Sequence, residues 1–308
     1  MSHFAVAVIT KGKPTEEEIF KALAPYQEDG AEEYLQWHSV TAKEKERYRN
    51  GTVKMLRMED GRLLNIWETE FWTEEVTDNG YKRSRHEVPD NLEKVEVPYI
   101  QLYPTFEQFM KERGSYSFDK EMQDYGYWAN PNEKWDWYQI GGRFAGIIKV
   151  KYENQDIKYG SSSSFFAKNF YNNKDENIKN VDCARIKDII IFSQKDYIEA
   201  IRFWELYIEK QEPKNEKEKD MIKKCFYKKE YYLNKYKTKE KYAYCQSQFS
   251  TWAVITKDGK WHEPGTKGKF ASSIATPEEK LAFEENYKKL VFDNAEEDDY
   301  LTVVDCHI

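Results

Sequence analysis

Short apolar runs alternate along this chain with longer polar, charge-rich stretches, and the densest runs fall at the two ends and in the middle. His3–Ile9 is rich in Val and Ile and reads as a buried strand, broken by Gly12 and Pro14. Thr15 then caps a helix, with Glu18 three residues on completing a capping box and Pro25 just beyond its end. Residues 34–40 and 62–73 are expected to be strands, with a polar helix over Thr41–Asn50 between them. Asp78-Asn79-Gly80 marks a turn, and Thr105–Arg113 reads as a second capped helix that stops at Gly114.

Further along, strands are expected over Phe144–Tyr152 and Ile186–Phe192. Ser193 with Asp196 opens a helix whose Tyr197, Ile201, Trp204 and Ile208 recur at helical spacing. Residues 214–242 are dominated by lysine and tyrosine and lack glycine, which predicts a solvated helix or helical hairpin, an oligomer contact or a basic lid. Phe249–Thr256 and Lys260–Glu263 form a hairpin around Asp258-Gly259. Thr276-Pro277-Glu278-Glu279 opens a last helix, with Phe283, Tyr287, Leu290 and Val291 facing a core, and Tyr300–Ile308 is a closing strand.

These elements predict an α+β fold: a mixed or antiparallel sheet with its terminal strands paired. The expected organisation is one α+β domain over 1–192 and 245–308, interrupted by a helical insertion at 193–244. At 308 residues the chain can bury a sizeable core. A net charge of −7 argues against a face for duplex nucleic acid, while leaving room for a local basic pocket. Cys183, Cys225, Cys245 and Cys306 are far apart and form no CxxC pair, which fits a reducing compartment. The first residues lack the basic flank and apolar run of a signal peptide, and no segment has bilayer length, so a cytoplasmic location is expected.

The richest chemistry lies at 135–144, Trp-Asp-Trp-Tyr-Gln-Ile-Gly-Gly-Arg-Phe. Trp135, Trp137 and Tyr138, with Trp128 upstream, offer flat stacking faces. Arg143 offers a fork of donors for phosphate, and Asp136 an acceptor for a ribose or base amino group. Gly141 and Gly142 permit a close approach to the main chain but lack the spacing of a phosphate loop. Strict alternation places Trp135, Trp137 and Gln139 on one side and Asp136, Tyr138 and Ile140 on the other. The same parts also suit a packed hairpin corner. Trp261 and His262 complete the set of candidate ligand-binding residues.

No catalytic constellation, cofactor or metal site is expected. His262 as a general base and Cys245 or Cys306 as a nucleophile lack matched partners. Antiparallel pairing of the terminal strands would bring His3 beside His307, with Asp305 on the same face; such a trio has metal-ligand character, or one histidine merely satisfies the chain end.

Three segments carry a resemblance. The opening Met-Ser-His-Phe-x-Val with Leu-Ala-Pro-Tyr at 23–26, the Asn-Pro-Asn-x-Lys-Trp-Asp-Trp-Tyr-x-x-Gly-Gly-Arg block at 130–143, and Leu-Thr-Val-Val-Asp-Cys-His-Ile at 301–308 resemble a widespread family of uncharacterised tailed-phage proteins. Lys260-Trp261-His262 fits a further Lys-Trp-Tyr segment of that family, whereas Gly268-Lys269-Phe270 departs from the Gly-rich, paired-tryptophan stretch that follows it there. The resemblance implies a phage accessory protein acting in counter-defence. The expected function is capture, without catalysis, of a nucleotide-derived immune signal such as a cyclic ADP-ribose variant. The alternatives are an inhibitor that binds a host defence protein, a homo-oligomer among its forms, and a nucleotide-processing enzyme.

Overall fold

The computed structural model describes residues 3–76, 82–151, 177–223, 225, 227–265 and 275–308. The expected Asp78-Asn79-Gly80 turn, the serine run Ser161–Ser164 and the segment Gly268–Phe270 lie outside these residues. The chain falls into two compact units, one made of the sequence up to Leu35 together with Asn130–Ile308, the other of Gln36–Ala129.

The first unit is built on a mixed sheet whose centre is the pair of terminal strands. Strand β1 (His3–Thr10) pairs antiparallel with the closing strand, Tyr300–His307, in an eight-residue register from His3 opposite His307 to Thr10 opposite Tyr300. Counting in chain order, this unit holds β1, β2 (Trp137–Ile140), β3 (Ile148–Lys151), β4 (Ile178–Val181), β5 (Cys183–Arg185), β6 (Ala253–Ile255), β7 (Trp261–His262) and β8 (Tyr300–His307). The sheet runs β2-β8-β1-β6-β7, with β5 also pairing β8. Only the β1–β6 contact is parallel. The α+β class with paired ends is therefore as expected.

Both faces of this sheet are covered, which is why β1 and β8 read as unbroken apolar runs. On one face Val6, Val8, Ile140, Ile255 and Val304 pack with Trp135 and with Ile19 and Leu23 of α1 (Glu16–Leu23). On the other, Ala5, Ala7, Leu301 and Val303 meet Tyr287 and Val291, together with Ile148 and Val150 of the β3–β4 ladder. Helix α1 starts with the reciprocal capping box: the Thr15 N–H donates to Glu18 Oε2 at 2.7 Å and the Glu18 N–H to Thr15 Oγ1 at 3.3 Å.

Helices α2 (Gln194–Tyr207), α3 (Glu216–Lys223), α4 (Lys229–Tyr236) and α5 (Lys239–Ser247) follow, and α6 (Pro277–Lys288) opens with a second capping box between Thr276 and Glu279. The lysine–tyrosine stretch is thus broken into short helices rather than one solvated rod. Lys237 at φ 66° forces the break before α5. Tyr232, Tyr236 and Tyr242 are buried against Trp204 and Ala200 of α2 and Leu281 of α6, so these helices pack into the first unit.

Two expected strands in this unit are not formed as such. Ile186–Asp188 is a single 3₁₀ turn, closed where Arg185 Nε donates to the buried Asp188 carboxylate at 2.7 Å. The strand expected from Phe144 begins only at Ile148, because Gly142–Phe144 is a 3₁₀ turn and Gly146 has φ 79°.

The second unit has a three-stranded sheet (Gln36–Ser39, Asp124–Ala129, Ser117–Asp119), another centred on Thr52–Arg57, and the hairpin Trp72–Val76 with Lys82–His86. Phe109, Met110, Val40 and Tyr99 form its core under helices Thr41–Asn50 and Phe106–Arg113. The strand expected over 62–73 is cut short at Leu64. Asn65 Oδ1 accepts the Trp67 N–H at 3.0 Å, starting a turn that leads into the 3₁₀ helix Thr69–Phe71.

Candidate ligand-binding cleft

The Trp135–Phe144 block does not act as one surface. Strand β2 begins at Trp137, so Trp135 precedes it and packs on the Tyr138 side of the sheet, their rings 5.3 Å apart. Strict alternation, which would pair Trp135 with Trp137, fails for that reason. Trp135 is 1% exposed and its indole Nε1 donates to the Leu23 carbonyl at 3.1 Å: it is a core residue. Trp137 is 48% exposed and meets His3 edge-on at 6.1 Å. Tyr138 stacks against Phe20 of α1. Trp128 belongs to the other unit, edge-on to Trp37.

Gly141 and Gly142, at φ 70° and 49°, make a buried turn pressed against two carboxylates. A Cβ on Gly141 would sit 2.7 Å from Asp182 Oδ2, and one on Gly142 2.5 Å from Asp305 Oδ2. Asp305 Oδ2 accepts the Arg143 N–H at 2.9 Å, and Asp182 Oδ1 accepts the Gly146 N–H. The glycines are therefore needed by the protein's own carboxylates. The Arg143 side chain is exposed and makes no ion pair or hydrogen bond among the described residues.

The terminal strands assemble what their register predicts. His3 Nδ1 lies 2.9 Å from Asp305 Oδ1, and the His3 and His307 rings are 4.9 Å apart. His307 in turn holds Asp136 at 2.6 Å, so Asp136 pairs with a histidine. Among the described residues no three His, Cys, Asp or Glu side chains are disposed to hold a metal ion.

Beside this cluster opens a cleft of about 410 Å³. Its walls come from His3, Phe4 and Ala5 of β1, Phe144 and Ile147 after the glycine turn, and Ser250, Thr251 and Trp252 ahead of β6. Tyr227, with Tyr231 and Lys235 of α4, closes one side; Pro264 and the α6 residues Lys280, Phe283 and Glu284 close the other. Lys280, Phe283, Glu284 and Tyr287 are spaced i, i+3, i+4 and i+7, which places them on one face of α6. The Lys280 ammonium stands 5.6 Å over the Trp252 ring. Tyr227 and Tyr231 stack at 4.2 Å. Lys235 is buried and its Nζ meets Glu284 Oε1 at 2.6 Å. Burial pushes the Tyr231 phenol up, against the opposing pull of Lys235. The cleft combines π faces with lysine ammonium groups and has the volume of a small-ligand site.

Trp261 and His262 lie elsewhere. They line a wide hollow of about 810 Å³ with Tyr26, Lys134 and Glu263. Lys134 Nζ and Glu263 Oε1 pair there at 2.7 Å. Burial lowers the His262 pKa, with Asp258 opposing, and the ring contacts Thr256 Oγ1 at 3.3 Å. Of the residues singled out from sequence, Asp136, Trp137 and the Gly141–Arg143 turn gather around the terminal histidines, while Trp128, Trp135, Trp261 and His262 do not.

Cleft and sheet together define an α+β protein with an aromatic, lysine-bearing pocket at the ends of its terminal strands. In comparisons with family profiles, with curated proteins and with solved structures, the chain matches none of them.

Proposed function

We propose that this protein binds a small nucleotide-derived anion in the cleft between α4 and α6, and that it serves a phage by capturing such a signal in an infected cell. The observation that carries the reading is the grouping of Trp252, Phe283 and Tyr231 with the Lys280 ammonium around one hollow, Lys235 being paired there with Glu284. A base stacked on an aromatic ring gains about 1–3 kcal/mol, and a phosphate beside an ammonium adds a charge-assisted contact. The phage setting rests on the resemblance carried by the two terminal segments and the 130–143 block.

Calorimetry and thermal shift against cyclic ADP-ribose isomers and cyclic dinucleotides test the proposal. Saturable binding of at least one, weakened by Tyr231→Ala, is expected. Folded protein that binds none of them contradicts it.

A second reading, inhibition of a host defence protein by direct contact, is favoured by one feature of the other unit. Trp67 and Trp72 are 64% and 43% exposed and flank His86, whose ring is 4.8 and 4.7 Å from theirs. An exposed aromatic trio of this kind suits a protein partner. Co-purification of a host protein that is lost in Trp67→Ala and kept in Tyr231→Ala would favour this reading over the first.

A further inference from the structure

The terminal histidines point beyond capture, to a role that depends on the cleft being a ligand site. His3 and His307 are cross-strand partners on β1 and β8. Each has its Nδ1 against a carboxylate, His3 on Asp305 and His307 on Asp136, at 2.9 and 2.6 Å. A carboxylate at Nδ1 holds the ring proton there and leaves Nε2 as the working nitrogen: a base in the neutral ring, an acid in the charged one. The His3 and His307 side chains are only 16% and 14% exposed, so neither is a frayed tail. Strand pairing does not need them either, since seven further register pairs, from Phe4 opposite Cys306 to Thr10 opposite Tyr300, join β1 to β8. His3 forms part of the cleft wall that also carries Lys280.

We propose that His3 and His307 act as a general base and general acid on a phosphodiester of the nucleotide-derived ligand. Water attacks phosphorus, and its proton passes to Nε2 of His3. The bond from phosphorus to the leaving oxygen breaks, and that oxygen takes a proton from Nε2 of His307. The products are a phosphomonoester and an alcohol, with no change in oxidation state, and solvent restores both rings. Asp305 and Asp136 are positioning residues that set which nitrogen carries the proton. Lys280 offsets charge on the phosphoryl oxygens.

The test uses the full chain in EDTA, to silence contaminating metallophosphatases, with two probes. Cyclic di-AMP has an alkoxide leaving group that needs protonation; bis(4-nitrophenyl) phosphate has one that leaves unaided. Variants with unchanged melting temperature are compared. His3→Gln is expected to lower kcat on both probes by roughly 100-fold or more, and His307→Gln to do so on cyclic di-AMP but much less on the nitrophenyl ester. Asp305→Asn should lower kcat with little change in KM. The pH–rate profile should be bell-shaped, one limb vanishing in each histidine variant; among the described residues Asp305 and Asp136 touch the pair, and Lys235, Lys280, Glu284, Tyr227 and Tyr231 line the cleft with His3. Cyclic di-AMP bound but recovered intact overturns the acid–base proposal and leaves capture standing. Turnover that survives in both histidine variants also overturns it. Absence of turnover, together with absence of binding across the cyclic ADP-ribose isomers and cyclic dinucleotides above, removes the cleft reading along with it.

Discussion

Gly142 and Asp305 are so close that a Cβ on the glycine would lie 2.5 Å from the Cβ of the aspartate. The same carboxylate spans the Arg143 amide and His3, so the glycine turn and the terminal histidine are set by one buried side chain. Gly142→Ala combines this clash with an unfavourable positive φ. It should cost about 2 kcal/mol or more in urea denaturation and displace His3, visible as a changed imidazole shift in NMR.

The two tryptophans flanking Asp136 should behave oppositely. Trp135→Ala removes a sealed ring and its hydrogen bond to Leu23, for an expected loss of about 3–5 kcal/mol. Trp137→Ala removes a half-exposed ring at a strand edge and should leave stability within about 0.5 kcal/mol. Parallel denaturation curves check both.

Lys280 meets the Trp252 ring and forms no ion pair among the described residues. Lys280→Gln should therefore leave the melting temperature unchanged while weakening an anionic ligand roughly tenfold, measured by calorimetry at low and high salt. The affinity difference should shrink as salt rises.

Glu218 tests the helical segment by pH. The Arg202 guanidinium, in a fork at 3.1 and 2.8 Å, lowers its pKa to about 2 from an ordinary value of 4.5. Because the folded value is depressed, the stabilisation is present above about pH 4.5 and is lost as pH falls toward 2. Glu218→Gln should melt below wild type at pH 7, and the two curves should converge near pH 2.

Thiol chemistry offers a separate check on packing. Burial pushes the Cys245 thiol up to about 12, with Glu284 and Glu285 adding to the effect, and burial raises Cys306 well above its usual range. Iodoacetamide at pH 8, mapped by mass spectrometry, should leave both unmodified in folded protein and label both in urea.

What could be read from the sequence was what local chemistry decides. The Thr15–Glu18 and Thr276–Glu279 boxes start helices wherever they occur, and the Val-rich terminal runs had to be covered on both faces. The face of His3, Asp305 and His307 came from a two-residue period and an antiparallel partner. Trp135 was misplaced because nothing local marks β2 as starting at Trp137, and its burial depends on Leu23 of a distant helix. The separation of Gln36–Ala129 ends at the Asn130-Pro131-Asn132 breaker, but nothing local distinguishes that turn from one inside a single unit. The cleft draws on β1, the turn before β3, the approach to β6, α4 and α6, so no single spacing joins its residues, although those on α6 share one face. Asp182 was missed for the same reason: only the folded turn explains an aspartate beside Gly141.

A crystal structure of the protein with the tightest-binding cyclic nucleotide tests the central claim most directly. The base should lie on Trp252, with a phosphate oxygen within hydrogen-bonding reach of Lys280. Ligand density in the Trp261–His262 hollow, with the α4–α6 cleft empty, would contradict it.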